Sequence, residues 1–221
     1  MTTVPFSTFT MPSGLRVVTV PQPQLHRAHI ALYARVGSRF ETAEENGISH
    51  FLEHMMYRGT SRLGSAHEVN SAFERLGGYL YAATHTDFGV FSVTLPPESA
   101  AEAARLFGEV MTDPRFLNID VERGIVAEEI LEDLDDEGRQ INADNISRAV
   151  IYPSHPLGFT ITGTQEHVDS FTVEQLRAHH QRHYTAGSCV LAIAGALSDT
   201  DARRIAEEGF GAVPPGPAVT T

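Results

Sequence analysis

The chain is poor in whatever would cross-link it or hold it in a membrane. Its 221 residues include a single cysteine, Cys189, which excludes an internal disulfide. The setting of that residue in CVLAIAGA reads as a small buried hydrophobe in a strand, without redox chemistry. No run approaches the roughly 20 apolar residues of a membrane-spanning helix. The opening MTTVPFSTFTMPSG has neither a basic segment nor an apolar one behind it, so the expectation is a cytoplasmic protein with no membrane partner. Positive charge is also scarce: 16 Lys and Arg stand against 28 Asp and Glu, a net charge of -12. That balance argues against nucleic acid as a partner and is compatible with cationic substrates. What the chain does have is 42% hydrophobic content, enough for a sizeable core.

Local patterns give the order of elements. FSTFTM, LRVVTV and AHIALYARV read as strands separated by a turn at Pro12 to Gly14 and a Pro-rich loop, and three strands in succession predict a meander. From about Gly47 to Arg58 the spacing is helical, with Asn46 in the capping position and Gly59 as the stop. A second helix runs from about Ser65 to Leu76 and breaks at Gly77-Gly78. YLYAATHTD and FGVFSVTL form a strand pair, followed by helices over about Pro97 to Met111, Ile119 to Asp136 and Gln140 to Ile151. After the loop YPSHPLGF come a helix over FTVEQLRAHHQRHY, a strand over SCVLAIAGA and a helix from about Ser198 to Glu208. Strands in runs, then helices in runs, predict an α+β fold: a largely antiparallel sheet with helices packed on one side. The expected organisation is one domain over residues 1–212 and a Pro/Gly-rich tail, or the start of an interdomain linker, over 213–221.

The chemistry concentrates in the first helix. His50-Phe51-Leu52-Glu53-His54 places two imidazoles four residues apart on one face, close enough to chelate one ion, with Glu53 beside them. Ile48, Phe51, Leu52, Met55 and Met56 fill the remainder, so the helix is apolar except for one titratable seam. A buried seam of that kind costs several kcal/mol unless its groups are paired or bind metal. Neutral imidazoles suit zinc, and an adjacent carboxylate can take a proton from a water that the metal acidifies to a pKa of about 7. That is the logic of the H-x-x-E-H peptidases.

A catalytic zinc needs a third protein ligand and an open position. The helix from Ile119 offers Glu122 and Glu129 on one stripe, with Asp133 and Asp136 nearby, and Glu128 on the other flank of its apolar arc. Periodicity alone does not choose between Glu128 and Glu129. The rest of the acidic run EEILEDLDDE reads as a solvated helix face. His179 and His183 form another i, i+4 pair, beside His180, but no carboxylate lies within a turn on the C-terminal side and Glu174 is too far toward the other end. These three, like His26, His29, His67, His85, His155 and His167, read as surface or packing histidines.

HFLEHMMYRGT resembles the active-site helix, and ERGIVAEEI the third-ligand segment, of the zinc peptidases that include pitrilysin, insulin-degrading enzyme and the mitochondrial processing peptidase. The likeness continues through HPLGFTITGTQEHVDSFTVEQL and CVLAIAGA, from about Phe6 to Gly211. It implies a zinc endopeptidase with one Zn2+ per chain, held by His50, His54 and Glu129, with Glu53 as the catalytic base. It also implies that Glu122 orients a metal-bound imidazole. GGYLYAATHTD resembles the family's edge strand, where an extended peptide substrate adds as a further strand; Tyr81, Ala82, Ala83 and Thr84 would then bind substrate. The family usually has Asn-Ala where this chain has Tyr81-Ala82. Members usually carry two related domains or subunits, so a second peptidase-like domain or subunit is the expected partner.

Overall fold

The computed structural model describes residues 5–220. Its centre is a six-stranded sheet whose burial follows the two-residue period of a strand. In β3 (Ala28–Ala34), β5 (Gly89–Leu95) and β6 (Cys189–Gly195), the side chains of Ile30, Leu32, Phe91, Val93, Leu191 and Ile193 are inaccessible. They join one hydrophobic core with Phe51, Phe107, Ile205 and Phe210 from the helices. Tyr33 and Thr94 point to the opposite, open face. The expected fold class therefore holds, an α+β domain with helices on one side of a mostly antiparallel sheet.

The strand order, completed by β1 (Ser7–Thr10), β2 (Arg16–Pro21) and β4 (Leu80–Thr84), is β1-β2-β6-β3-β5-β4. The expected meander is corrected by β6, which lies between β2 and β3, parallel to the first and antiparallel to the second. Its continuous run CVLAIAG has no exposed residue, the pattern of a central strand, but a local pattern does not reveal a strand's neighbours. Gly195 lets the chain pass there: its φ is 111° and a Cβ would lie 2.1 Å from the Arg27 carbonyl oxygen. Cys189 is fully buried in this strand, and burial pushes its thiol up to about 12.

The helices are α1 (Ile48–Met56), α2 (Ala66–Arg75), α3 (Ala100–Thr112), α4 (Ile119–Glu132), α5 (Ala143–Ile151), α6 (Gln165–Ser170), α7 (Val173–His183) and α8 (Asp199–Phe210). Three differ from the sequence reading. α6 is a six-residue element, capped by Thr164, too short to show a period. α4 stops at Glu132 and α5 begins at Ala143, so Asp133 and Asp136 lie off the expected acidic stripe. Between them a turn at Gly138 leads into a bridge from Leu134 to Gln140, and the Asp133 carboxylate accepts the amides of Asn142 and Asn145 at 2.8 Å each. Residues 213–220 do not hang free. Ala186 and Gly187 donate N–H groups to the Pro214 and Gly216 carbonyls, Val219 N–H donates to Ser188 Oγ, and Val213 and Val219 are buried.

Candidate metal centre

The start of α1 is built by long-range contacts. Gly47 precedes it with a left-handed φ of 97°, in a place where a Cβ would meet the Thr162 carbonyl oxygen at 2.6 Å. The cap expected from Asn46 is supplied by Glu41. Its carboxylate accepts the N–H of Gly47 at 2.9 Å, the N–H of Ser49 at 3.0 Å and the amide of Asn46 at 3.0 Å. Asn46 spends its side chain on Glu41 and the Thr160 carbonyl. Burial pushes the Glu41 carboxyl up, against the pull of these hydrogen bonds. An acceptor over a helix N-terminus satisfies orphan donors and opposes the dipole, which fixes where the next turn points.

α4 lies alongside α1, burying Val126 and Ile130 together with Glu122. His50 Nε2 and His54 Nε2 both face Glu129 Oε2, at 3.4 and 3.5 Å. Among the described residues, the ligand-type atoms of His50, His54 and Glu129 all lie within 4.8 Å of one another. His54 Nδ1 donates to Glu122 Oε2 at 3.0 Å, and the other oxygen of Glu122 is paired with Arg58. Burial, aided by His54, depresses His50 to about 3, which keeps it neutral. At His54 burial also lowers the pKa, but the hydrogen bond to Glu122 and the charges of Glu129, Glu53 and Glu122 outweigh it and leave the imidazole raised. Glu128 is exposed and outside the cluster.

Glu53 is held separately. Its Oε2 accepts the Thr84 hydroxyl at 2.6 Å, and burial raises the carboxyl, opposed by that bond and by His54. β4 is the sheet edge, with no strand beyond it among the described residues. His85 N–H bonds to the Phe88 carbonyl at 2.8 Å, so in an antiparallel ladder the backbone groups of Tyr81 and Ala83 also turn toward β5, while those of Leu80, Ala82 and Thr84 turn outward. Of the four residues expected to touch substrate, Ala82 and Thr84 turn their backbone groups away from β5, with the Thr84 N–H also drawn to the Glu53 carboxylate, whereas Tyr81, 51% exposed, stands at the rim. Between β4 and α1 opens a cleft of about 510 Å³ bordered by Glu53, His54, Tyr57, Tyr79, Tyr81 and Ile125.

Sequence reasoning missed Glu41, Arg58 and the bond between Thr84 and Glu53. Arg58 carried a signal, four residues beyond His54 on the same seam; the other two are long-range contacts without one. His179, His180 and His183 pack in the interior, bonded to Ser49 Oγ and the carbonyls of Met111 and Arg35.

The family model described as insulinase, peptidase family M16, matches residues 16–165, and that of the peptidase M16 inactive domain matches 170–220. The chain belongs to peptidase family M16. This M16 domain is 35% identical over 207 residues to the uncharacterized zinc protease YmxG of Bacillus subtilis, covering 92% of the chain and 49% of the relative. To the mitochondrial-processing peptidase subunit beta of Blastocladiella emersonii it is 32% identical, covering 93% and 44%. It therefore spans about half the length of the curated relatives it matches. In solved structures the M16 domain superposes on the first half of the periplasmic protease PqqL from Escherichia coli with a TM-score of 0.86 and 25% identity, over 98% of this chain and 48% of that one. Pitrilysin gives 0.82 at 22% identity, over 98% and 24%, which is a likeness of fold.

Proposed function

We propose that this chain is the zinc-bearing part of an endopeptidase that cleaves extended peptides or unfolded segments. The observation that carries the reading is the convergence of His50, His54 and Glu129 beside a separately held Glu53. The donor set fits zinc: two imidazole nitrogens and one carboxylate meet at a point left open by the half-exposed Glu129. One Zn2+ bound there would polarise a scissile carbonyl and acidify a water. Glu122 holds the His54 ring by its Nδ1–H, leaving Nε2 for the ion, and Arg58 fixes Glu122. Glu53, raised by burial, takes the proton of the attacking water at its free oxygen and returns it to the leaving amine. The outward backbone groups of Ala82 and Thr84 bond an extended substrate as an added strand.

A second domain or subunit completes the site in this reading. The relatives are about twice as long, and α5 is amphipathic the wrong way round for a lone domain, burying Asn145 while Ile146 and Val150 are exposed, Val150 by 75%. Such a face is favourable only when covered. Among the described residues no helix is long and apolar enough to cross a membrane; the cytoplasm remains our expectation, and cell fractionation tests it. A non-catalytic scaffold is the rival class, and the test is cleavage of a quenched fluorescent peptide by the assembled protein with and without a chelator. Cleavage that ignores the chelator, or that survives Glu53→Gln, removes the proposal.

A further inference from the structure

We infer that Thr84 is a positioning residue that couples the catalytic base to the strand on which substrate is laid. The inference rests on the metallopeptidase reading and adds a role for one hydroxyl. The Thr84 Oγ1–H donates to Glu53 Oε2 at 2.6 Å, leaving Oε1 to receive a proton. A carboxylate at the end of a glutamate rotates in a broad well, so the short bond from the Thr84 hydroxyl, with the Thr84 backbone N–H beside it, decides which oxygen faces the reacting water. That donor stands at the end of the edge strand β4, in a residue whose own N–H and C=O turn outward. A peptide that adds to β4 therefore hydrogen-bonds the backbone of the residue whose side chain holds the base. Strand addition at Thr84 and alignment of Glu53 become one event. Peptides that fail to extend across Thr84 meet a base that is present but poorly aimed, so the hydroxyl contributes to turnover more than to affinity.

The test uses the assembled protein, this chain with its second half, carrying Thr84→Val or Thr84→Ser. Valine keeps the shape and is favoured in strands, and the melting temperature checks that each variant folds. Misalignment of a reacting group costs from tenfold to about 100-fold, so Thr84→Val should lower kcat by about tenfold or more with KM within about twofold, zinc content unchanged and Thr84→Ser close to wild type. A readout independent of turnover is the affinity of an extended fluorescent peptide in the Glu53→Gln background, which should be the same with and without Thr84→Val. A kcat for Thr84→Val within about twofold of wild type overturns the proposal. So does a loss confined to KM with weakened peptide binding, which would make Thr84 a substrate contact. If the unmodified assembly shows no chelator-sensitive cleavage, the peptidase reading fails first and the proposal falls with it.

Discussion

Two pairs of histidines four residues apart, one partly buried and one buried, have opposite fates in this domain. His50 and His54 on α1 have ring centroids 4.7 Å apart; His179 and His183 on α7 are 4.2 Å apart. Spacing does not separate them. The first pair looks onto Glu129, Glu122 and Glu53, the second onto Ser49 Oγ and the Arg35 carbonyl. Desolvation lowers both rings of the second pair, and no carboxylate answers it; at His54 carboxylates reverse it. The helical i, i+4 motif is thus only a frame, and the facing helix decides whether the frame holds a cation or packs a core. The pairs are also joined, since His179 bonds to Ser49 on α1. The second pair helps to seat the helix that carries the first.

The contrast breaks most sharply at the metal. The double variant His50→Ala, His54→Ala should lose the bound zinc, an affinity loss above about 1,000-fold on removing two of three ligands, whereas His179→Ala, His183→Ala should keep one zinc per chain and lose stability by about 2 kcal/mol or more from cavities and broken hydrogen bonds. Elemental analysis beside thermal melting checks both, and zinc kept by the α1 variant but lost with the α7 pair would reverse the assignment. Next in size is Glu53→Gln, expected to keep its zinc while turnover of the assembled protein falls by about 100-fold to 10,000-fold. Smaller again is Glu122→Gln, which should weaken zinc by about 10- to 100-fold through a misplaced His54. Glu128→Gln, one residue from the ligand but exposed, should leave chelator-competition titrations unchanged, while Glu129→Gln weakens binding outright.

Much of this was legible beforehand because it is local. The alternation of β3 and β5, the apolar body of α1 around its titratable seam, and the H-x-x-E-H spacing are all written within a few residues. The choice of Glu129 over Glu128 needed the resemblance, because both flank the apolar arc of α4 at acceptable angles. The illegible parts are long-range. β6 enters the sheet between strands some 170 residues earlier in the chain, and Glu41 caps α1 from outside the helix where Asn46 had the right residue type. At 213–220 the prolines and glycines suggested a tail or the start of a linker, and composition held no sign of the contacts there: the N–H groups of Ala186 and Gly187 donate to its carbonyls and Ser188 Oγ accepts from Val219 N–H.

The smallest effect is in acid and concerns the metal-free protein. His179, His180 and His183 are all lowered by burial, so each is neutral when folded and takes up a proton on unfolding below its ordinary value of about 6.5. Stability rises with pH wherever the unfolded chain binds more protons. The contribution of these residues is therefore complete above about pH 6.5 and is lost as pH falls below it, at up to about 1.4 kcal/mol per pH unit for each. His54 has the opposite sign: its raised value gives stability that is present below about 6.5 and is lost as pH rises through the folded pKa. Acid should thus weaken the α7 cluster while strengthening the His54 contacts, and the cluster, with three residues, should dominate. His179→Gln keeps a donor for Ser49 but cannot titrate, so its denaturant-unfolding curves at pH 7.5, 6.5 and 5.5 should show an acid loss shallower than wild type by up to about 1.4 kcal/mol per pH unit. His54→Gln should instead steepen it. Parallel pH dependence in all three proteins would mean that carboxylates elsewhere, not the buried imidazoles, set the acid limit.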